Sequence, residues 1–246
     1  MMETDYKKAR LDDILRWVQK NKKGKYTDFL SLGEQKILLK LINLYDDINY
    51  RFFGGYSNAE RKIAHIYPDF MDKDEVPLDA IRLVGDLSLL SHRDVLGSIV
   101  GLGIKREKIG DIIKRQKDCD IIVHKDIAGY ILMNLHKIGK ERVDTYSINL
   151  TDVKEPELKF ESINATVASI RLDSVVAAGF MISRNKAITL IKSGMSEVNW
   201  EATLDPSFAV KEGDIISLRG YGRIKFETIK GTTKKGRIAI QILRYK

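Results

Sequence analysis

A serine and three basic residues mark a predicted short helix in the last third of the chain, SRNKAITLIKSG, which spans residues 183–194. Ser183 is a favourable helix N-cap, and Arg184, Lys186 and Lys192 lie off the apolar face of that helix. The free N–H groups of a helix start and nearby basic side chains both bind phosphate oxygens. The stretch therefore predicts a site for an anion.

The charge of the chain is concentrated at the same end. The 246 residues carry a net charge of +8, and residues 171–246 hold fourteen Lys and Arg against seven Asp and Glu. The remainder is nearly neutral, with 28 basic and 27 acidic residues. A neutral body with a basic third predicts an anionic partner at one end, with nucleic acid as the first candidate. A basic surface that only aids solubility is the alternative.

Short helices and strands surround the basic helix. RLDSVVAAGF predicts a helix that ends at Gly179, SEVNW predicts a short strand, and DPSFAVKEGDIISLRG predicts turns and two strands. RIKFETI and RIAIQIL alternate like hairpin strands around KGTTKKG, a loop that either extends a phosphate-binding surface or is merely solvated. The bases in or beside this loop are Lys230, Lys234, Lys235 and Arg237.

The segment from Arg171 to Arg219 resembles the ribosomal-protein S-four type (alpha-L) RNA-binding module. The resemblance rests on the order RLD, short helix, SR-x-KA, LI-x-G, VN, D-P and V-K-x-GD-x-I. The resemblance implies that two helices and the next turn face structured RNA. The residues it assigns to RNA are Arg171, Ser183, Arg184, Lys186, Lys192 and Asn199, to which we add Arg223, Lys234, Lys235 and Arg237. One departure is Trp200, where the module commonly has glycine; the indole either packs on the preceding helix or stacks on a base.

The middle of the chain reads as a β-α-β-β-α-β series. Its strands are LDAIRLVG, KIGDIIK, CDIIVH and RVDTYSINL, and its helices are SHRDVLGSIVGLG and KDIAGYILMNLHKIG, the second ending near Gly139. This order predicts a ferredoxin-like (RRM-like) unit, an arrangement that many unrelated proteins share. The aromatic strand signature of base-stacking RNA-recognition motifs is absent, so the layout alone does not indicate RNA binding.

Two helices and two strands are expected before the ferredoxin-like unit. YKKARLDDILRWVQK and SLGEQKILLKLINLY have helical periodicity, and Ser31 with Glu34 forms a capping box. Residues 50–53 and 62–67 predict strands around Gly54, and the stretch from Pro68 through DFMDKDEVP predicts a linker. TDVKEPELKFESIN predicts a second connector. The fold class is thus α+β, with a small α+β subdomain at 1–75, the ferredoxin-like domain at 76–165, and the RNA-binding module with its hairpin extension at 166–246.

Motifs along the whole chain resemble those of the YlmH family of bacterial proteins. They are FFGGYSNAER, HRDVLGSIVGLGIKREKIGDI, and GYGR with KGTTKKGR. The resemblance implies binding to the large ribosomal subunit, through ribosomal RNA and peptidyl-tRNA, in ribosome-associated quality control. It also implies a second RNA contact, for which glycine turns and helix packing are the alternative reading of the same stretch. The second-contact residues are His92, Arg93, Lys105, Arg106 and Lys108.

Sequence motifs for catalysis are missing. Asp173 in IRLDSVVAAG lies inside the binding module and is better explained as a first-turn acid than as a pseudouridine synthase aspartate. The lone G-x-G in VGLGIK follows a helix, and neither a P-loop nor a zinc cluster is visible. We therefore expect a non-catalytic protein with no cofactor or metal. The alternatives are an RNA-modifying enzyme with an unrecognised site in the N-terminal region, and a scaffold with a vestigial RNA module.

Compartment follows from composition. The start of the chain carries acidic residues and has no long apolar region, and no stretch reaches the roughly 18 apolar residues of a membrane span. The single cysteine, Cys119, lies at the edge of an apolar run and is expected to be buried. These features predict a soluble, cytoplasmic protein, which we expect to be a monomer.

Overall fold

The computed structural model describes residues 2–69, 75–156 and 159–246. Its contacts divide the chain into two compact units, Met1–Pro156 and Glu157–Lys246. The division of the chain into three domains at residues 75 and 165 stays a prediction. Within the described residues, no helix is both long and apolar enough to cross a membrane.

The N-terminal unit begins with two helices on a three-stranded antiparallel sheet of order β1-β3-β2. These elements are α1 (Met2–Asn21), β1 (Lys25–Tyr26), α2 (Leu32–Ile42), β2 (Ile48–Phe53) and β3 (Ile63–Pro68). The predicted capping box is present: Glu34 N–H donates to Ser31 Oγ, and Ser31 N–H donates to the Glu34 carboxylate at 2.9 Å. Strand β1 was not predicted, because two residues carry no periodicity. Half of the predicted linker from Pro68, residues 70–74, lies outside the described residues, and Pro68 itself ends β3.

A four-stranded antiparallel sheet with two helices follows, and its elements are β4 (Leu78–Val84), α3 (His92–Gly101), β5 (Ile109–Lys114), β6 (Asp118–His124), α4 (Lys125–Asn134) and β9 (Asp144–Ile148). The strand order β5-β6-β4-β9 confirms the predicted ferredoxin-like topology. One sheet face packs on the helices through Ile81, Ile121, Val95 and Ile131. Cys119 is buried in this core, as predicted.

The other face of this sheet is also covered. Ala80 and Ile122 pack against Phe29 and Ile63, which belong to the first part of the unit. All four side chains are fully buried. The first 69 residues and the ferredoxin-like sheet therefore share a hydrophobic cluster.

Helix α4 is shorter than the sequence predicted. It ends at Asn134, and the segment assigned to its last turn forms a hairpin of β7 (Lys137–Ile138) and β8 (Glu141–Arg142). Gly139, expected at the helix end, has φ +59 in the two-residue hairpin loop. The prediction was wrong because the spacing of Leu135 and Ile138 fits a helix. Both side chains are indeed buried, but the backbone at these two residues is not helical.

The C-terminal unit packs two helices on a six-stranded antiparallel sheet of order β10-β15-β14-β13-β11-β12. Its elements are β10 (Phe160–Val167), α5 (Leu172–Phe180), α6 (Arg184–Lys192), β11 (Ser196–Val198), β12 (Glu201–Ala202), β13 (Ile215–Leu218), β14 (Gly222–Thr232) and β15 (Ile238–Tyr245). Val175, Val176, Ala187 and Ile191 from the helices pack on Phe226 and other strand residues. The predicted α+β class and hairpin extension are confirmed.

Three local predictions in this unit were wrong. Of the two strands predicted in DPSFAVKEGDIISLRG, only β13 is present, because Ala209 forms no more than an isolated bridge with Arg171. Gly179 does not end α5: the helix continues to Phe180, and Met181 takes the left-handed conformation, with φ +53, at its end. Gly179 instead allows close packing, because a Cβ there would lie 2.6 Å from Ile224 Cδ1. The predicted connector TDVKEPELKFESIN ends in strand, since β10 pairs with β15 along its whole length.

Candidate nucleic-acid interface

A buried carboxylate joins the two helices of the C-terminal unit. Asp173, in the first turn of α5, accepts hydrogen bonds from Arg184 Nη2 at 2.9 Å and Nε at 3.1 Å. Arg171 Nε lies 3.4 Å from the other Asp173 oxygen, and Arg171 Nη2 donates to Ser207 Oγ at 2.7 Å. Asp173 is fully buried, whereas half of the Arg184 side chain is exposed. Both arginines therefore help to hold the helix pair together and still reach the surface.

The start of α6 is built as predicted. Ser183 is the N-cap, and its Oγ accepts the N–H of Lys186 at 3.2 Å. Lys186 is exposed, and so is Lys192, in the last turn of the same helix. A lysine in a last turn is favoured by the partial negative charge of the helix C-terminus. The helix therefore presents Arg184 and Lys186 near its start and Lys192 near its end.

An exposed tyrosine lies beside Lys186. Lys186 Nζ is 5.5 Å from the centre of the Tyr221 ring, and that ring meets Phe180 edge to face with centroids 6.0 Å apart. Tyr221 sits between Gly220 and Gly222, both in left-handed conformations, at the turn between β13 and β14. Sequence reasoning did not single it out, although an aromatic residue between two glycines in RGYGR was a visible signal.

The amide of Asn199 is engaged within the unit. Its Nδ2 donates to Asp214 Oδ1 at 2.8 Å, and its Oδ1 accepts the N–H of Ile215 at 3.0 Å. Asn199 and Trp200 have φ of +50 and +65 and form the turn between β11 and β12. Trp200 thus takes the conformation that usually suits glycine, and its side chain is half-buried. RNA contact by Asn199, and packing or stacking by Trp200, stay predictions.

The basic side chains of the β14–β15 hairpin differ in whether they are bonded to other residues of the unit. Arg237 Nη2 donates to Thr166 O at 2.6 Å, and Lys230 Nζ donates to Asn164 Oδ1 at 2.9 Å. The Arg223 guanidinium lies 5.5 Å from the Tyr245 ring. Lys234 and Lys235 are exposed in the loop, and neither side chain forms a hydrogen bond or ion pair with the residues that the structure describes.

The predicted second contact is not one uniform basic surface. His92, Arg93 and Lys105 are exposed. Lys108 lies 3.1 Å from Asp28 Oδ1 and 2.9 Å from Asp126 Oδ2. Its pKa is raised, because these carboxylates outweigh the lowering by burial.

Arg106 is half-buried and turns towards the backbone. Its Nη1 donates to Ile109 O, which also accepts from Arg61 Nε at 3.0 Å. Burial, and then the charge of Arg61, lower the pKa of Arg106 to about 10. The pKa of His92 is also lowered, because its ring is partly desolvated although the residue as a whole is exposed, and because Arg106 carries a charge nearby. RNA binding by these residues stays a prediction.

Across residues 2–69, 75–156 and 159–246, no three His, Cys, Asp or Glu side chains are grouped so that they could hold a metal ion.

Two family models match the chain. Residues 74–152 match the family described as "Putative RNA-binding domain in YlmH", and residues 170–216 match the S4 domain. The second match covers both helices and the turn at Asn199, as the sequence resemblance implied.

Relatives extend these matches. "Ribosome-associated protein quality control protein P2" of Bacillus subtilis (strain 168) is 36% identical over 246 residues, which cover 97% of this chain and 95% of that protein. "Small ribosomal subunit protein uS4" of Thermoanaerobacter sp. (strain X514) is 44% identical over 68 residues, or 27% of this chain and 32% of that one.

A solved structure has the same fold over part of the chain. "Cell division protein ylmH from Streptococcus pneumoniae" superposes with a TM-score of 0.56 and 20% identity, over 63% of this chain and 96% of that one. Because the Bacillus relative covers nearly the whole sequence and the RNA-binding region has its own family model, the chain belongs to the YlmH family.

Proposed function

We propose that this protein is a non-catalytic, RNA-binding factor of the large ribosomal subunit that acts in ribosome-associated quality control. The name of its Bacillus relative and the two RNA-binding family matches support a ribosome-associated role. The observation that carries the proposal is α6, whose capped N-terminus and exposed Lys186 and Lys192 lie in a unit of S4 type. Ribosomal RNA, and peptidyl-tRNA on a stalled subunit, are the partners that we infer.

The RNA-facing residues fall into two roles. Lys186, Lys192, Lys234 and Lys235 are exposed and bind phosphate directly. Arg171 and Arg184 approach RNA with the part of each guanidinium that the Asp173 carboxylate leaves exposed, while Ser183 caps α6, the helix that begins at Arg184. Arg223 and Arg237 support the hairpin at the side of this surface. The protein works in the cytoplasm, as a monomer.

Sedimentation with purified ribosomal particles tests this function. The protein is mixed with small subunits, large subunits and whole ribosomes, at low and moderate salt, and the pelleted fraction is measured. We expect selective movement with large subunits, lost in Lys186→Glu/Lys192→Glu. The control is Lys20→Glu/Lys23→Glu, which makes the same charge change at exposed lysines of the N-terminal unit. Equal pelleting of the two variants would contradict the assigned surface.

Two further readouts separate the remaining alternatives. Peptidyl-tRNA on the large subunit should increase the bound fraction if the factor recognises stalled subunits, and a peptide-free subunit is the control. A change in nucleoside mass after incubation with ribosomal RNA would instead support an RNA-modifying enzyme and overturn the non-catalytic assignment. Binding that does not fall with salt would favour a scaffold with a vestigial RNA module.

A further inference from the structure

A cleft of about 710 Å³ opens in the N-terminal unit, between the C-terminal ends of α3 and α4 and the β7–β8 hairpin. Its lining includes Ser98, Asn134, His136, Lys137, Arg142 and Asp144. The volume lies within the range of roughly 300–1,000 Å³ that is usual for small-ligand sites. None of these residues belongs to the surfaces assigned above.

The hairpin places two like charges opposite each other. Lys137 and Arg142 are register partners across the two strands, so their side chains project from the same face. Like charges in directly opposed positions destabilise a strand pair. The next pair is Ile138 with Glu141, so the carboxylate of Glu141 leaves from the other face. The hairpin therefore carries an electrostatic cost that a bound anion would remove.

The structure provides no counter-ion for this pair. Lys137, Arg142 and the neighbouring Lys140 are exposed, and in the part of the chain that the structure describes their side chains form no hydrogen bond or ion pair. By contrast, Lys108 in the same unit is held by two carboxylates. Partial negative charge from the ends of α3 and α4 attracts the two bases, but it leaves their donors unused.

The cleft also offers groups that suit a nucleobase. Asp144 and the Asn134 side chain are exposed at its edge and lie in its lining, and helix C-termini present backbone carbonyls without intrahelical partners. Carboxylate and carbonyl oxygens accept from the amino and imino groups of bases. Leu102, Leu135 and Val143 supply apolar lining against which a ring can lie. Cationic side chains at the mouth of the cleft and hydrogen-bond acceptors in its lining therefore suit a phosphate joined to a nucleobase.

We propose that this cleft binds one unpaired RNA nucleotide, with its phosphate on Lys137 and Arg142 and its base in the cleft beside Asn134 and Asp144. The inference deepens the proposed RNA-binding function and rests on it. It gives the N-terminal unit an RNA contact on the hairpin side of α3 and α4, away from the stretch of His92 to Lys108 that the sequence suggested.

Binding of a short, unpaired RNA oligonucleotide of mixed sequence to the full chain tests the cleft. Fluorescence anisotropy compares the parent protein, Lys137→Glu/Arg142→Glu, Lys137→Gln/Arg142→Gln, and the charge-matched control Lys20→Glu/Lys23→Glu. We expect about tenfold weaker binding for the Glu pair, an intermediate loss for the Gln pair and little change for the control. The log–log salt slope should fall by about 0.7 for each lost contact. Ultraviolet cross-linking should join the oligonucleotide to a peptide from residues 134–144.

The outcomes separate this site from the proposed function. Retained sedimentation of the cleft variant with large subunits, together with lost oligonucleotide binding, supports a second and independent contact. No oligonucleotide binding by the parent protein, or equal binding by the cleft and control variants, overturns the cleft whatever the sedimentation shows. An oligonucleotide of the same length without bases should bind more weakly. Equal binding of that oligonucleotide would overturn the base pocket.

Discussion

Arg184 holds the buried carboxylate of Asp173 with two nitrogens, at 2.9 and 3.1 Å, across the gap between α5 and α6. The residue that sequence analysis placed on an exposed RNA-binding face is therefore also part of the packing of the helix pair. Charge reversal at Arg184 would disturb both roles at once. For that reason, the tests above use Lys186 and Lys192.

Arg184→Glu should destabilise the C-terminal unit. It places a carboxylate against buried Asp173, which then keeps Arg171 as its charged partner and the Ser174 hydroxyl as a donor, and we expect the free energy of unfolding to fall by about 1–3 kcal/mol. Urea unfolding in a Trp17→Phe background measures this, because Trp200 then reports the C-terminal unit alone. Lys186→Glu is the matched control and should change stability by less than about 0.5 kcal/mol. Equal effects of the two substitutions would refute a structural role for Arg184.

Lys186→Glu/Lys192→Glu should weaken binding to ribosomal RNA without unfolding the chain. Both side chains are exposed, and each lost phosphate contact should reduce the slope of log K against log salt by roughly 0.7–0.9. Filter binding over a salt series gives the slope, and circular dichroism checks the fold. An unchanged slope would mean that neither lysine contacts phosphate.

Gly179→Ala should destabilise the C-terminal unit although alanine favours helices. The added Cβ would lie 2.6 Å from Ile224 Cδ1 and 3.3 Å from Ile242 Cγ2, both on fully buried side chains, so the core must shift. Overpacking of this kind costs about 1–3 kcal/mol. Gly129→Ala in α4 is the control, because nothing lies within 4 Å of its added Cβ. Thermal melts should show a lower Tm for the first variant only.

Asp120→Asn should destabilise the N-terminal unit at neutral pH but much less in acid. Burial raises the pKa of Asp120, yet bonds from Arg82, the Lys154 N–H and Arg115 outweigh it and hold the pKa below its usual value. A lowered folded-state pKa gives stability that is present above the unfolded-state pKa, about 3.9, and is lost as the pH falls through the folded-state pKa. We expect a loss of about 3–5 kcal/mol at pH 7.

Urea unfolding at pH 7 and near pH 3 tests this sign in a Trp200→Phe background, where Trp17 reports the N-terminal unit. The difference between parent and variant should shrink in acid. A difference that is the same at both pH values would show that the carboxylate contributes no pH-dependent stability. Asp86→Asn is the control, since Asp86 is bonded by neighbouring Ser88 and is not paired with an arginine in the described chain.

Local signals predicted the parts of the fold that local forces control. Ser31 and Ser183 cap helices as the sequence suggested, because a cap depends on residues within one turn. The order of strands and helices in the middle unit predicted the ferredoxin-like topology, because that connectivity leaves few ways to pair the strands.

Contacts between residues that are distant in the sequence could not be predicted from local sequence signals. The engagement of Asn199 with Asp214 depends on strands that meet only in the folded sheet. The β7–β8 hairpin was missed because its buried residue Ile138, together with Leu135 at the end of α4, also suits a helix face. The like-charged pair of Lys137 and Arg142, on which the proposed nucleotide site depends, becomes visible only once that hairpin register is known.

The cluster of Phe29 and Ile63 on Ala80 and Ile122 has a consequence for how RNA can approach. RNA-recognition motifs stack bases on the open face of such a sheet, but here the protein's own first residues occupy that face. Any RNA that this unit binds must therefore approach along its helices, loops and edges. A fragment that starts at residue 76 would expose this apolar face of the sheet to water. We therefore expect the ferredoxin-like domain to stay soluble only when the segment that carries Phe29 and Ile63 is included.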